Sequence, residues 1–254
     1  MVDTRNHLDS SEEYIASMQY DAVIFDLFGT LVANFSIQEH ERVLSEMASV
    51  LSAPHDGFVR LWLASFNERC SGKFESPAAN IEHICQALHL SAPPEAVEAA
   101  ARIRFDFTRR SLAPLPGAVE TLERLKASGC KTGLLTDCSP ETPMLWPDTP
   151  LAPLVDVPVF SCVERLKKPD PRIYLLLCKR LTVKPQACLY VGDGGSHELT
   201  GASGVGMSAV LIRAPSQTGH DALRIDEEQW DGPAVATLEE VLARAGLSGD
   251  TARP

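Results

Sequence analysis

Five short, nearly unbroken apolar runs punctuate the sequence: Ala22-Val23-Ile24-Phe25, Lys131 to Leu135, Val157 to Ser161, Ala187 to Val191 and Ser208 to Ile212. Each has the length of a strand and stops at a turn or polar residue. Strict alternation of polar and apolar positions is missing from them, as expected for parallel strands covered on both faces. Amphipathic stretches fall between the runs: Ala118 to Ala127, Pro171 to Arg180, a segment holding Leu199 to Ala202, and a last one over about 238–245. Helix and strand therefore alternate in the α/β manner, around a parallel sheet. Residues 214–234, rich in polar and turn-forming types, are predicted to be a loop.

The region from about 36 to 112 has a different period. Patterns such as His40-Glu41-Arg42-Val43-Leu44 and Phe58-Val59-Arg60-Leu61-Trp62-Leu63 predict helices, interrupted at Pro54, Gly72 and Pro93-Pro94. A helical unit is thus inserted between the first and second strands.

In parallel sheets, ligands bind beyond the carboxyl ends of the strands, so the residues just after each run carry the chemistry. Asp26 follows the first run, within Phe25-Asp26-Leu27-Phe28-Gly29-Thr30-Leu31. A carboxylate there is costly to bury without cations or donors, and well placed to attack an electrophile. The alternative is an Asp that only accepts N–H bonds in the Gly29-Thr30 turn. The second run leads to Thr136-Asp137, where a hydroxyl and free N–H groups suit an anionic oxygen, although a Thr ending a strand is commonplace.

Lys168, in Lys167-Lys168-Pro169-Asp170-Pro171, is held extended by its proline; it is either a fixed charge among carboxylates or part of an exposed turn. Asp193 and Glu198, in Gly192-Asp193-Gly194-Gly195-Ser196-His197-Glu198, offer hard oxygen ligands to a small cation. Otherwise Glu198 simply complements a helix dipole.

Composition narrows the partners. The 254 residues, 44% hydrophobic and 22% charged, suit one core domain with an insertion. A net charge of −11 opposes binding to nucleic acid or an anionic membrane surface, yet allows a small anionic substrate where Lys, Arg and metal cluster. There is no apolar run of about 18 residues to span a membrane. Residues 1–18 lack a secretory apolar stretch and are expected to be a short extension. Seven scattered cysteines without a Cys-x-x-Cys pair suggest reduced thiols, and hence a cytoplasmic protein, rather than disulfides or zinc.

The four strand-end motifs, in this order and spacing, resemble those of the haloacid dehalogenase superfamily over roughly residues 20–245. The resemblance implies a doubly wound parallel core over 19–35 and 113–246, a helical cap over 36–112, and a tail over 247–254. It implies that Asp26 is the nucleophile and forms a covalent aspartyl intermediate. Thr136 and the Asp137 backbone would hold the transferring group, which also lies against Gly29 and Thr30, and Lys168 would offset the negative charge. Mg²⁺ would be held by Asp26, the Phe28 carbonyl and Asp193, with Glu198 standing where the family commonly has an Asp.

Phosphatases of the superfamily usually carry a second Asp two places after the nucleophile; here that position is Phe28. A phenyl ring cannot protonate a leaving alkoxide, a step worth roughly 10²–10⁴-fold. His40 or Glu39 is a candidate replacement, with a surface-helix role as the alternative for both. An aromatic at this position resembles the 2-haloacid dehalogenases, whose halide leaves without a proton or metal. Dehalogenation would make no evident use of Asp193 and Glu198, so a Mg²⁺-dependent phosphatase is the expectation. A dehalogenase, and a low-turnover binding or regulatory protein, are the alternatives.

The cap is expected to select the substrate through Phe35, Arg60, Trp62, Phe66, Arg69 and Lys73. For Trp62 and Phe66, spaced i, i+4, core packing is the plainer reading; the basic residues are expected to be solvated unless they meet substrate. Either a monomer or a homodimer fits.

Overall fold

The computed structural model describes residues 19–213 and 223–247. The expected extension over 1–18 and nearly all of the tail lie outside these residues. Six parallel strands form one sheet: β1 (Ala22–Phe25), β2 (Lys131–Thr136), β3 (Val157–Phe160), β4 (Cys188–Gly192), β5 (Ser208–Ile212) and β6 (Ala234–Val235). Their spatial order is β3-β2-β1-β4-β5-β6. The order reverses between β1 and β4, which makes the carboxyl ends of these two strands the natural binding crevice.

Side chains alternate between the faces of the sheet. Val23 and Phe25 enter a layer with Leu134, Leu189 and Val191, covered by α6 (Ala118–Ala127) and α11 (Leu238–Arg244). Ala22 and Ile24 enter the opposite layer with Leu135, Val159 and Tyr190, covered by α9 (Pro171–Leu181) and α10 (Glu198–Gly204). Burial on both faces is the physical reason the strands read as continuous apolar runs.

A third hydrophobic cluster belongs to helices α1 (Ile37–Val50), α2 (His55–Ala64), α4 (Pro77–Ala87) and α5 (Pro94–Ser111). Phe58, Trp62, Ile81 and Phe107 are fully buried within it. The short α3 (Phe66–Cys70) follows α2. Ser36 and Ser76 cap α1 and α4 by accepting from Glu39 N and Ala79 N, and Pro77 and Pro94 open their helices where an N–H would be unsatisfied anyway.

Several expectations need correction. Of the loop expected over 214–234, residues 214–222 lie outside the described residues; its last residue, Ala234, pairs with β5 together with Val235 as the edge strand. Two residues are too few for a periodic signal; Leu211 and Ile212 supply the ladder they complete. Ser161 starts the short α8 (Ser161–Glu164) rather than ending β3, and α7 (Glu141–Leu145) lies in a stretch assigned no element.

Candidate active site at the carboxyl edge of the sheet

Parallel pairing continues one residue past β1, where the Asp26 N–H donates to Val191 O at 2.9 Å. The chain then folds back tightly: Leu27 O accepts from the N–H groups of Leu31 and Val32 at 2.9 and 3.0 Å. Gly29 occupies the left-handed region at φ 83°. A Cβ there would run into Asn34 Nδ2 and Asp193 Oδ2, so the turn and the close approach of the Asn34–Asp193 pair both require glycine. Gly29→Ala is therefore expected to cost about 1–2 kcal/mol from backbone strain, before any contribution from displacing Asp193. Urea denaturation and turnover assays should show losses in both stability and activity.

Lys168 reaches this edge from the loop after α8. Its Nζ donates to Asp26 Oδ1 at 2.7 Å and to Glu198 Oε2 at 2.5 Å, with all three side chains buried. Its backbone N–H donates to Asp137 Oδ1 at 3.0 Å, and the Lys168–Pro169 peptide is cis. Glu198 is locked further: Tyr190 Oη donates to Oε2 at 2.8 Å and Gly194 N–H to Oε1 at 3.0 Å. Asp193 Oδ2 accepts from Asn34 Nδ2 at 2.7 Å and Arg224 Nε at 3.0 Å, while Oδ1 accepts from Gly195 N–H at 3.2 Å.

Burial dominates the electrostatics. It pushes Asp26 up to about 6, with Lys168 opposing the shift and Asp193 adding to it. It pushes Glu198 up to about 8, against Lys168 and with Asp26 and Asp193. Burial alone would lower the Lys168 pKa, but Asp26, Glu198 and Asp137 hold it well above the ordinary range. Asp26, Asp193 and Glu198 each present an oxygen within 4.8 Å of the others. An all-oxygen set with surplus negative charge fits a small hard cation such as Mg²⁺.

Three of the four motif segments thus bring Asp26, Lys168, Asp193 and Glu198 into one cluster, and the other supplies Asp137, which accepts from the Lys168 backbone N–H. Phe28 and Asp137 line the cavity above it, together with Phe35, His40, Phe66, Arg69, Arg104 and Arg224. Thr136 and Thr30 are buried nearby but do not line the cavity, and neither hydroxyl has a hydrogen-bond partner among the described residues.

Other positions depart from expectation. Arg60 is exposed on α2 and does not line the cavity. Lys73 is half exposed and pairs with Glu68. Arg69, a candidate substrate contact with solvation as its alternative, is buried and lines the cavity, its guanidinium 4.5 Å from the centre of the Trp62 ring. Trp62 is core, whereas Phe66 lines the cavity; α2 ends at Ala64, so the two do not share one helix.

Neither proposed proton donor fits. Glu39 is exposed and paired with Arg42. His40 lines the cavity, but burial, then Arg104 and Arg69, drive its pKa down to about 3, leaving a neutral ring at physiological pH.

Arg104, Asn34 and Arg224 were not singled out from the sequence. Arg104 does carry a signal: Val97, Ala100, Arg104 and Phe107 share the buried face of α5, so a charge interrupts an apolar stripe.

A doubly wound parallel sheet with carboxylates and a lysine at its switch point defines an α/β protein with a charged site at the carboxyl ends of its strands. The family model of haloacid dehalogenase-like hydrolases matches residues 20–206, and the chain belongs to that family. Glyceraldehyde 3-phosphate phosphatase of Pyrococcus furiosus is 34% identical over 53% of this chain, but over only 56% of its own length. Hexitol phosphatase A of Escherichia coli is 29% identical, covering 92% of this chain and 98% of the relative. (S)-2-haloacid dehalogenase 1 of a Pseudomonas strain is 27% identical over 75% of this chain and 83% of its own. Among solved structures, a HAD phosphatase from Thermococcus onnurineus superposes with a TM-score of 0.60 at 23% identity, covering 88% of this chain and 96% of that one; this likeness concerns the fold. The relatives that the chain matches in this family include both phosphatases and dehalogenases.

Proposed function

We propose that this hydrolase is a Mg²⁺-dependent phosphatase acting on a small anionic phosphate ester through a covalent aspartyl-phosphate on Asp26. The observation that carries the reading is the buried cluster of Asp26, Asp193 and Glu198, three carboxylates that meet two cations, Lys168 and Arg224. Such charge density is costly to bury unless a cation offsets it.

In this reading Asp26 attacks phosphorus, the ester P–O bond breaks and the departing alkoxide takes its proton from solvent; water then hydrolyses the aspartyl-phosphate, which releases inorganic phosphate and restores the Asp26 carboxylate. Lys168 holds the carboxylate in place and offsets the charge gathering on the transferring group. Asp26, Asp193 and the Phe28 carbonyl would hold Mg²⁺, with Glu198 at the rim of the set and positioning Lys168. The ion would neutralise phosphoryl oxygens and favour in-line displacement. Helices α1–α5 serve as a cap over the cavity. Phe28 and Phe35, with ring centres 4.8 Å apart, form an apolar wall of the cavity.

The test is inorganic phosphate release from a panel of small phosphate esters in Mg²⁺ or EDTA. Release that depends on Mg²⁺ supports the reading; absence of release from folded protein sinks it. Binding gives an independent readout. Mg²⁺ at about 100 times its Kd should stabilise the protein by about 2.7 kcal/mol, visible as a raised Tm. Asp193→Asn should remove most of that gain.

A second reading, metal-independent removal of halide from a 2-haloacid, is favoured by Phe28 and by the Arg224–Asp193 ion pair, which places a cation on Asp193 without metal. Halide release in EDTA, with no phosphate release under any condition, would support it.

A further inference from the structure

The cavity over Asp26 has a volume of ≈ 110 Å³, and its helical side carries buried positive charge. Arg69 and Arg104 both line it, each about 5% exposed. Arg69 donates only to neutral acceptors, Trp62 O at 2.5 Å and Ser65 Oγ at 2.6 Å, and has no carboxylate partner among the described residues. Arg104 Nε donates to Glu141 Oε1 at 3.2 Å, but Arg104 Nη1 has no partner among the described residues. Two buried guanidiniums therefore share one carboxylate.

Aromatic faces hold them in place. Arg69 lies 4.5 Å from the Trp62 ring centre, and Arg104 lies 5.3 and 5.2 Å from those of Phe35 and Phe107. These contacts help fix the guanidiniums but supply no full counter-charge. A buried cation without a full counter-charge is costly, and an anionic ligand bound against it would remove that cost. The effect reaches their neighbours: burial and Arg104 bring Arg69 down to about 10, and His40 stays neutral between them.

We infer that Arg69 and Arg104 form a subsite for a second acidic group of the substrate, a carboxylate or a further phosphate, at the end remote from the group that reacts at Asp26. The inference deepens the phosphatase reading and rests on it for the reacting group alone. Planar, fork-shaped guanidiniums suit bidentate capture of either anion. The size of the cavity restricts the substrate to a compact molecule. An ester bearing a neutral tail would leave the buried charge uncompensated, so the same two residues select against it.

The test is calorimetric titration with non-hydrolysable probes at fixed, excess Mg²⁺. Methylphosphonate carries one acidic head; 3-phosphonopropionate adds a carboxylate and ethylenediphosphonate a second phosphonate. Malonate against acetate forms a phosphorus-free pair. Wild type should bind at least one two-headed probe tenfold or more tightly than its one-headed counterpart. Which probe wins distinguishes carboxylate from phosphate as the recognised group.

Arg69→Gln should reduce that preference at least fivefold, and Arg69→Lys should restore part of it. Should Arg69→Gln fail to fold, the pair Arg104→Gln with Glu141→Gln removes charge without stranding a carboxylate. Equal affinity for one- and two-headed probes in wild type, or a preference unchanged in folded variants, would overturn the subsite. A malonate preference that needs Arg69, in a protein releasing no phosphate, would keep the subsite and sink the phosphatase reading.

Discussion

Asp26→Asn is expected to lower turnover by roughly 10⁴-fold or more, the scale of loss when a covalent nucleophile is removed. The variant should also be more stable than wild type in the absence of metal. Burial holds the Asp26 pKa at about 6, above its ordinary 3.8, so the folded state favours the protonated acid. A raised pKa favours folding fully below the unfolded value, and that advantage is lost as pH rises through about 6. At pH 8 wild type therefore carries the cost of a buried charge that asparagine avoids, whereas near pH 4 the two proteins should converge. The lost charge-assisted bond to Lys168 offsets part of this gain, leaving on the order of 1 kcal/mol. Urea denaturation in EDTA at pH 8 and pH 4, beside phosphate release at pH 7.5, checks both halves. A folded variant with near wild-type turnover would remove Asp26 from the chemistry.

Lys168→Met should produce the largest loss of stability. It deletes the cation bridging Asp26 and Glu198 and strands both carboxylates in the interior. Breaking a buried pair in this way costs about 3–5 kcal/mol. The loss depends on pH in a defined direction. Glu198 already sits near 8 and Asp26 near 6 with lysine present; without it both move higher. The variant should be weakest at pH 8 to 9 and recover towards pH 5, as the carboxylates take up protons. Turnover should fall by about 10²–10³-fold, as when one preorganised donor to a developing charge is lost. Equal destabilisation at pH 5 and pH 8 would show that Lys168 acts through packing rather than charge.

Part of this molecule could be read locally. Five of the six strands carry enough consecutive apolar residues to be recognised, because burial on both faces imposes the pattern without reference to any partner. Ala234–Val235 could not be read so: two residues have no period, and only the exposed edge of β5 makes them a strand. Asp26, Lys168 and Asp193 stood out because they interrupt or follow such runs at strand ends. Arg69 stands out only as one basic cap residue among several and Arg104 only as a charge on the apolar stripe of α5; neither marks itself as buried, since a basic residue on an amphipathic helix is ordinarily solvated. Their burial depends on Trp62 from α2 and Phe35 from the segment before α1 closing over them.

The contrast has one physical origin. Strand runs, the Gly29 turn and the acidic and lysine motifs express short-range requirements on backbone shape and local burial, and the sequence by itself determined them: an α/β parallel fold of this family with a carboxylate at the end of the first strand. Desolvation and pairing are properties of three-dimensional surroundings. Tertiary structure alone decided that Glu198 anchors Lys168 through contact with Tyr190, that His40 is neutral, that Arg60 faces solvent, and that two arginines distant in sequence face one cavity. A charge has no fixed energy until the residues around it exclude water, and those residues come from segments far apart in the chain.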